Sequence, residues 1–470
     1  MSRREYGIIA AGFVLIVALV ARFLSRKEKQ DGIILFSFLV SVGLKFLYIS
    51  ATPTWERQHD VIGFANPKGI GQAAYIEWFI NNNRLPDFDP RSIWGFFQPP
   101  LHHILSAIWI KLNLGLGYGY TAACENLQVL TCFYGIVFLV LAYFIFREMG
   151  LEDKGLKAAF CFVAFHPSFI LLSGSVNNDM LMHVFIAMAI FWTLRWIKTK
   201  KWTHIALIAL SIGLSMMTKL AGVLLAPATA VIFLYELIDV LRKKDRGGFI
   251  GLIKQYFLFG LIVFPLGLFF PLRNLVLFGV PLNYTPPVGE PVGMHSVFDR
   301  LFNVITDSPF VKLIQNGDSF DEFNVPLAFI KTSLTGEYNF AGSTDYVTIF
   351  AWGLFLTGTF LYVLITAYAI YRFCRVKLLK EYFKLGLECE TYIYILVLTA
   401  FIFYFNLCFS IPFFSSQDFR YIAFLVIPMA FFLGCVFRET KNKALKMCLV
   451  SLISMFALCA SLVYFLLCMP

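Results

Sequence analysis

The sequence predicts an all-α polytopic membrane protein, and three observations carry that prediction. Apolar runs of about 20 residues, enough to cross the hydrocarbon as a helix, recur along the chain. Mean hydropathy is +0.73 and only 14% of residues are charged, against roughly 25% in a soluble domain. Between the apolar runs, the connecting segments alternate between strongly basic and mixed.

The apolar runs place spans at about 6–24, 32–50, 126–147, 157–176, 179–197, 204–218, 220–240, 254–272, 347–371, 391–411, 420–437 and 447–467. Six short connections, Arg22–Lys29, Arg147–Lys157, Arg195–Lys201, Arg242–Lys254, Arg372–Lys384 and Arg438–Lys446, hold 25 of the 39 Lys and Arg residues. The positive-inside rule puts them in the cytoplasm. The net charge of +10 therefore marks orientation and contact with anionic lipid, and argues against a nucleic-acid partner. The ten cysteines form no CxxC pair, and Cys161, Cys408 and Cys459 lie inside apolar runs, so they read as small hydrophobes.

The opposite side then receives loop 51–125, the Asn177-Asn178-Asp179 turn, the Thr218-Lys219 break, loop 273–346 and the Ser415–Arg420 turn. Leu101–Leu112 is apolar, but short and preceded by two prolines. Counting it as a span would invert every later loop, so it is laid along the membrane surface as a juxtamembrane helix. The first run has Arg3 and Arg4 outside; it lacks a clear small-residue cleavage site and is kept as a span. The expected organisation is one integral membrane domain over 1–470, with an extra N-terminal helix in 1–30 and two large outer loops, 51–125 and 273–346.

Asp60, Asp179, Lys219, Arg273, Asp418 and Arg420 all fall at the outer ends of these spans. One such charge is readily a snorkelling anchor. Six on one side, of both signs, point to a polar cavity, because ionisable groups at that depth are costly and mark sites or pathways.

The stretch Trp55–Ile110 is the richest in motifs. It holds His59-Asp60, GQAAYIEWFINNNRLP over Gly71–Pro86, and Gln98-Pro99-Pro100-Leu101 followed by His102-His103. Later come Asn178-Asp179, Thr218-Lys219, Arg273-Asn274 leading into Leu277–Pro281, and Phe419-Arg420-Tyr421. In this order and spacing, from about residue 32 to 435, the chain resembles the GT-C glycosyltransferases of the protein O-mannosyltransferase and lipid A aminoarabinose transferase group. The resemblance implies a GT-C type fold of about 11–13 transmembrane helices, whose long first outer loop carries juxtamembrane helices. It also implies a hexosyl- or pentosyltransferase in the bacterial plasma membrane, its site facing outward. The implied partners are a polyprenyl-phosphate-linked sugar donor, membrane lipids, and a protein, lipid or cell-wall glycan acceptor.

Asp60 stands at the family's catalytic-aspartate position, which implies a general base for the acceptor hydroxyl; the alternative is a helix cap. A phosphate is already a good leaving group, so one carboxylate suffices where a glycosidase needs two. No P-loop supplies backbone amides, so the donor phosphate falls to Arg273, Arg420 and Lys219, with Arg420 alternatively paired to Asp418. Asp179 is expected either to orient the acceptor or to cap its span.

Gln98 departs from the aminoarabinose-transferase pattern, which has Lys there: an amide still bonds a phosphate or a sugar hydroxyl but adds no charge. His59, His102 and His103 are candidate substrate contacts. With Asp60 they offer nitrogen and oxygen ligands of the kind zinc takes, although in no recognised spacing, so no metal is assigned. His166, His183 and His204 are assigned to helix packing or capping. Glu337, in the segment Gly336-Glu337-Tyr338, and the acidic cluster Asp318, Asp321 and Glu322 receive no role. Trp55, Trp78, Trp94 and Trp109 suit headgroup anchoring or sugar stacking.

Two other classes are weighed. A secondary transporter lacks support, since the chain shows no duplicated half and few charges deep in the spans apart from Lys45. A lipid-linked polysaccharide polymerase or ligase is the nearer alternative, but it would concentrate its charges in a late outer loop.

Overall fold

A computed structural model of the chain describes residues 32–56, 59, 62–282, 284–286, 296–303, 324–337, 345–379 and 386–469. The expected first span, Asp60, the cluster Asp318, Asp321 and Glu322, and Tyr338 lie outside these residues. Among the described residues the fold is all helical. Nine helices among the described residues are long and apolar enough to cross a membrane, which makes the chain an integral membrane protein.

The helices run in order as α1 (Gly32–Ala51), α2 (Gly71–Asn82), α3 (Leu101–Gly115), α4 (Tyr120–Glu125), α5 (Leu127–Glu148), α6 (Asp153–Ala164), α7 (Ser168–Gly174), α8 (Asp179–Thr199) and α9 (Trp202–Thr218). They continue as α10 (Ala226–Arg242), α11 (Arg246–Phe278), α12 (Val297–Phe302), α13 (Val325–Thr335), α14 (Asp345–Leu379), α15 (Leu387–Ser410), α16 (Val426–Glu439) and α17 (Lys443–Leu467). The expected span 157–176 is a bent pair: α6 and α7 meet at 44°, where Pro167 supplies no backbone N–H. The expected break at Thr218-Lys219 is also present, as α9 gives way to a 3-10 turn over Leu220–Leu225.

Residues 419–439, the 3-10 segment Phe419–Leu425 continued by α16, form the central element. Its most apolar stretch is 89% buried, against 28% for α11 and for α15. The last two therefore present most of their surface to lipid. α16 packs on α6, and a Cβ on Gly434 would lie 2.7 Å from the Gly155 carbonyl oxygen. Such small residues let two backbones approach where lipid supplies no hydrophobic drive.

One expected boundary is corrected. The span placed at 254–272 is part of α11, which continues through Phe278, so Arg273 and Asn274 lie in the helix and not in the loop after it. Pro265 and Pro271 sit inside α11 without ending it; the stop comes at Gly279, whose φ of 65° caps the helix in the left-handed region.

The first long loop is a folded module with its own core. Tyr75, Ile76 and Phe79 of α2 pack with Phe96, with Ala107 and Ile110 of α3, and with Val176 from the turn before α8. Tyr75 stacks on Phe96 at 4.5 Å between centroids. α3 lies where a juxtamembrane helix was expected, starting directly after Pro99-Pro100. Gly71 and Gly95 cross closely: the Gly71 N–H donates to the Trp94 carbonyl at 2.8 Å, and a Cβ on Gly95 would sit 2.8 Å from the Gly71 carbonyl. With φ of +96°, Gly95 suits no other residue. The module's two ends are tied together, since Thr54 donates from its backbone N–H and its hydroxyl to the two Glu125 carboxylate oxygens, both at 3.0 Å.

Candidate active site

Where this module meets the bundle there is a cavity of about 990 Å³. Its polar end is built by three breaks between helices: the Asn177–Asp179 turn, Lys219 after α9, and Arg420-Tyr421 at the start of the central element. Gln98 lines it from the module. The other wall is apolar, with Leu268 and Pro271 of α11 and Phe403, Leu407 and Ile411 after it in the chain.

Chain breaks position the charges. Lys219 has extended backbone (φ −156°, ψ 132°) at the end of α9, which turns its side chain away from the helix. Its ammonium donates to Asp179 Oδ1 and lies 4.6 Å above the Tyr421 ring. Asp179, the first residue of α8, is held by its own N–H donating to Asn177 Oδ1 at 3.1 Å. Its second oxygen is 3.8 Å from Arg420 Nε. The Arg420 guanidinium also lies 3.5 Å from Asp418 Oδ2 and 4.0 Å from Glu337 Oε2, and 5.2 Å from the Tyr421 ring centroid. Asp418 caps the turn by accepting from the Arg420 N–H at 2.9 Å. One buried carboxylate is thus shared by two cations at the wall of a cavity, with π-faces and further acids around them.

Of the residues singled out from sequence, the structure gathers Gln98, Asp179, Lys219 and Arg420 around this cavity, with Asp418 directly behind Arg420. Asn178 Nδ2 donates to Gln98 Oε1 at 3.3 Å and to the Thr218 carbonyl at 3.0 Å, joining module and bundle at the cavity wall. Arg273 does not line the cavity. It donates to the Pro86 carbonyl and, at 3.0 Å, to Asn274 Oδ1, which fastens the module to α11.

The three loop histidines are buried and engaged elsewhere. His59 Nε2 is 3.1 Å from the Tyr48 hydroxyl. His102 Nε2 donates to the Val176 carbonyl at 2.8 Å, and His103 Nε2 is 2.5 Å from Gln72 Oε1. Burial pushes the His59 and His102 imidazoles down to about 4 and His103 well below its ordinary value, so all three are neutral. Among the described residues, no group of three or more His, Cys, Asp and Glu side chains is arranged to hold a metal ion.

The other three histidines among the described residues contact neighbouring elements. His166 is 2.9 Å from the Tyr362 hydroxyl, His183 donates to the Arg420 carbonyl at 2.7 Å, and His204 bonds Thr199 at 2.8 Å. The tryptophans divide: Trp55 and Trp94 are exposed on the cavity rim, while Trp78 and Trp109 donate to the carbonyls of Arg84 and Asn126. Sequence reasoning missed Phe97 and Tyr284, which line the cavity and stack edge to face at 6.1 Å; aromatics are too common in this chain to single them out. It also missed the cation–π role of Tyr421, although the Phe419-Arg420-Tyr421 motif had drawn attention to that site.

A model of the dolichyl-phosphate-mannose-protein mannosyltransferase family matches residues 121–265. No curated protein matches the sequence. Among solved structures, the Archaeoglobus fulgidus oligosaccharyltransferase, in a complex with zinc and sulfate, aligns over 92% of this chain and 53% of its own, at 14% identity and a TM-score of 0.51. The chain thus spans about half the length of that enzyme. ArnT from Cupriavidus metallidurans, bound to undecaprenyl phosphate, aligns over 98% of this chain and 77% of its own, at 11% identity and a TM-score of 0.49. The chain has an all-α membrane fold of the GT-C type and, over residues 121–265, resembles the dolichyl-phosphate-mannose-protein mannosyltransferases.

Proposed function

We propose that the chain transfers a sugar from a polyprenyl-phosphate-linked donor to an acceptor hydroxyl at the extracytoplasmic face of the membrane. The observation that carries this reading is the pair Lys219 and Arg420, sharing Asp179 at the polar end of a cavity whose other wall is apolar. A lipid-linked phosphate needs both: cations for the headgroup, and hydrocarbon contact for the chain beside it. The apolar wall comes from α11 and α15, the spans most open to lipid. The family matched over residues 121–265 is named for such a donor.

In this mechanism the donor phosphate displaces Asp179 as the partner of the two cations. Charge-assisted bonds to the phosphate then strengthen as the bond from sugar carbon to phosphate oxygen breaks and negative charge builds on the leaving group. Asp60 takes the acceptor proton as the acceptor oxygen bonds to the sugar carbon. Gln98, with Oε1 accepting from Asn178, presents its amide N–H groups to a sugar hydroxyl or a phosphate oxygen. Arg273, His59, His102 and His103 act as positioning residues, fixing the module that carries Gln98 over the cavity.

The test is transfer by the full chain, reconstituted in lipid, from a polyprenyl-phosphate sugar to candidate acceptors, beside the Asp60→Asn variant. Mass spectrometry of lipid-linked sugars from cells with and without the gene names the donor. Accumulation of one polyprenyl-phosphate sugar on deletion is the expected result. Unchanged lipid-linked sugars would remove the donor class, and undiminished transfer by folded Asp60→Asn would remove Asp60 as base.

A further inference from the structure

A second cavity, of about 730 Å³, lies at the other end of the bundle. The central element fixes the relation: Arg420, at its start, lines the first cavity, and Arg438, near its end, lines the second. Three of the six basic connections converge here. Lys154 and Lys157 come from α6, Arg372 from α14, Arg438 from α16 and Lys446 from α17. These segments are far apart in sequence, so only the folded bundle brings them together. The positive-inside rule assigns this face to the cytoplasm.

The site is built and not merely basic. Gly155 and Gly434 hold the start of α6 against α16, since a Cβ on Gly155 would meet the Gly434 carbonyl oxygen at 2.8 Å. That contact sets the first turn of α6 along the cavity wall, through Asp153, Lys154 and Gly155. The N-cap residue Glu152 makes no side-chain cap bond, so the turn's N–H groups are not capped by it and favour an anion. Arg372 is matched from behind by Glu390, at 3.1 Å. Lys154, Lys157, Arg438 and Lys446 share the cavity with Glu152, Asp153 and Glu439; Arg438 and Glu439 approach to 3.9 Å, and Lys446 Nζ donates to the Thr440 carbonyl at 3.4 Å.

We propose that this cavity binds a phosphate ester, and that its place between transmembrane helices at the cytoplasmic surface makes an anionic phospholipid headgroup the source. Basic pockets of this kind between helices take anionic headgroups, each cation near the surface contributing about fivefold in affinity. The bound lipid ties α6, α14, α16 and α17 together at the end opposite the proposed transfer site. The proposal is independent of what that site transfers.

The experiment uses the full chain in nanodiscs of phosphatidylcholine with a minor share of phosphatidylglycerol, and native mass spectrometry of the lipids it retains. Two triple variants accompany the wild type: Lys154→Gln/Lys157→Gln/Lys446→Gln in the cavity, and Lys201→Gln/Lys244→Gln/Lys254→Gln, which removes equal charge elsewhere on the same face. Wild type and the second variant are expected to retain phosphatidylglycerol preferentially and to gain thermal stability from it; the cavity variant is expected to lose both. Equal loss in the two variants would reduce the effect to general surface charge and overturn the proposal. Equal stabilisation by inorganic phosphate in pure phosphatidylcholine nanodiscs would overturn the lipid source and leave a soluble phosphate ligand.

Discussion

Two buried polar groups lie side by side at the loop end of the bundle, and they differ in what satisfies them. His59, His102 and His103 are as buried as any residue in the protein, yet their Nε2 atoms meet Tyr48, the Val176 carbonyl and Gln72. They are neutral and hold the first-loop module in place. Asp179, Lys219 and Arg420 are also largely buried, but they line a cavity and pair with one another at mixed distances. Burial alone therefore does not mark a site. What distinguishes the charged group is an open volume beside charges that another ligand is able to take over.

The strongest test of this contrast is on the side of the chemistry. Asp60→Asn is expected to lower sugar transfer by about 10²–10⁴-fold, the range for a lost general base, with no change in thermal stability; transfer within a fewfold of wild type would break the assignment. Arg420→Ala is expected to lower transfer by about 10²–10³-fold, with Arg420→Lys recovering part of it in a steady-state assay against donor concentration. If the two variants were equally impaired only through lower folded yield, the guanidinium would be structural.

The histidines should respond to pH through stability. Above their ordinary value of 6.5 the folded and unfolded imidazoles are both neutral. Between 6.5 and about 4 the unfolded chain binds protons that the folded chain refuses, so stability falls as pH falls through that window. The expected measurement is a melting temperature that is flat from pH 8 to about 7 and declines below it, with a shallower decline in His102→Gln. The smallest effect is expected from Gln98→Leu: about a fivefold rise in KM for the donor, the value of one neutral hydrogen bond, with kcat nearly kept.

The spans were legible because a bilayer demands long apolar runs and sorts basic residues to one side, and both rules act residue by residue on the sequence. The same parity puts Asp179, Lys219 and Arg420 on one face from the sequence alone, and the structure brings these three together. What stayed hidden depends on partners distant in the chain. Nothing in α11 itself says that Arg273 reaches back to Pro86, and Pro271 two residues earlier invites ending the helix too soon. The imidazoles of His102 and His103 looked available because the sequence does not show Val176 and Gln72 beside them. The second cavity is equally invisible in the sequence, since its cations come from three connections far apart in the chain.

The Thr54–Glu125 tie has a mechanical consequence. The two bonds hold the module's entry and exit side by side, so α1 and α5 meet it at one place. Arg91 donates to the Phe278 carbonyl at 2.9 Å while paired with Asp89, and Arg273 grips Pro86 beside it, so there is a second pin at the end of α11. With the Asn178–Gln98 bond and the His59 and His102 contacts, these ties hold the module at several separated points, which leaves it no free axis. Gln98 therefore keeps its place on the cavity wall only as long as the bundle keeps its own shape, and a change of cavity volume has to come from side chains or from the helices themselves.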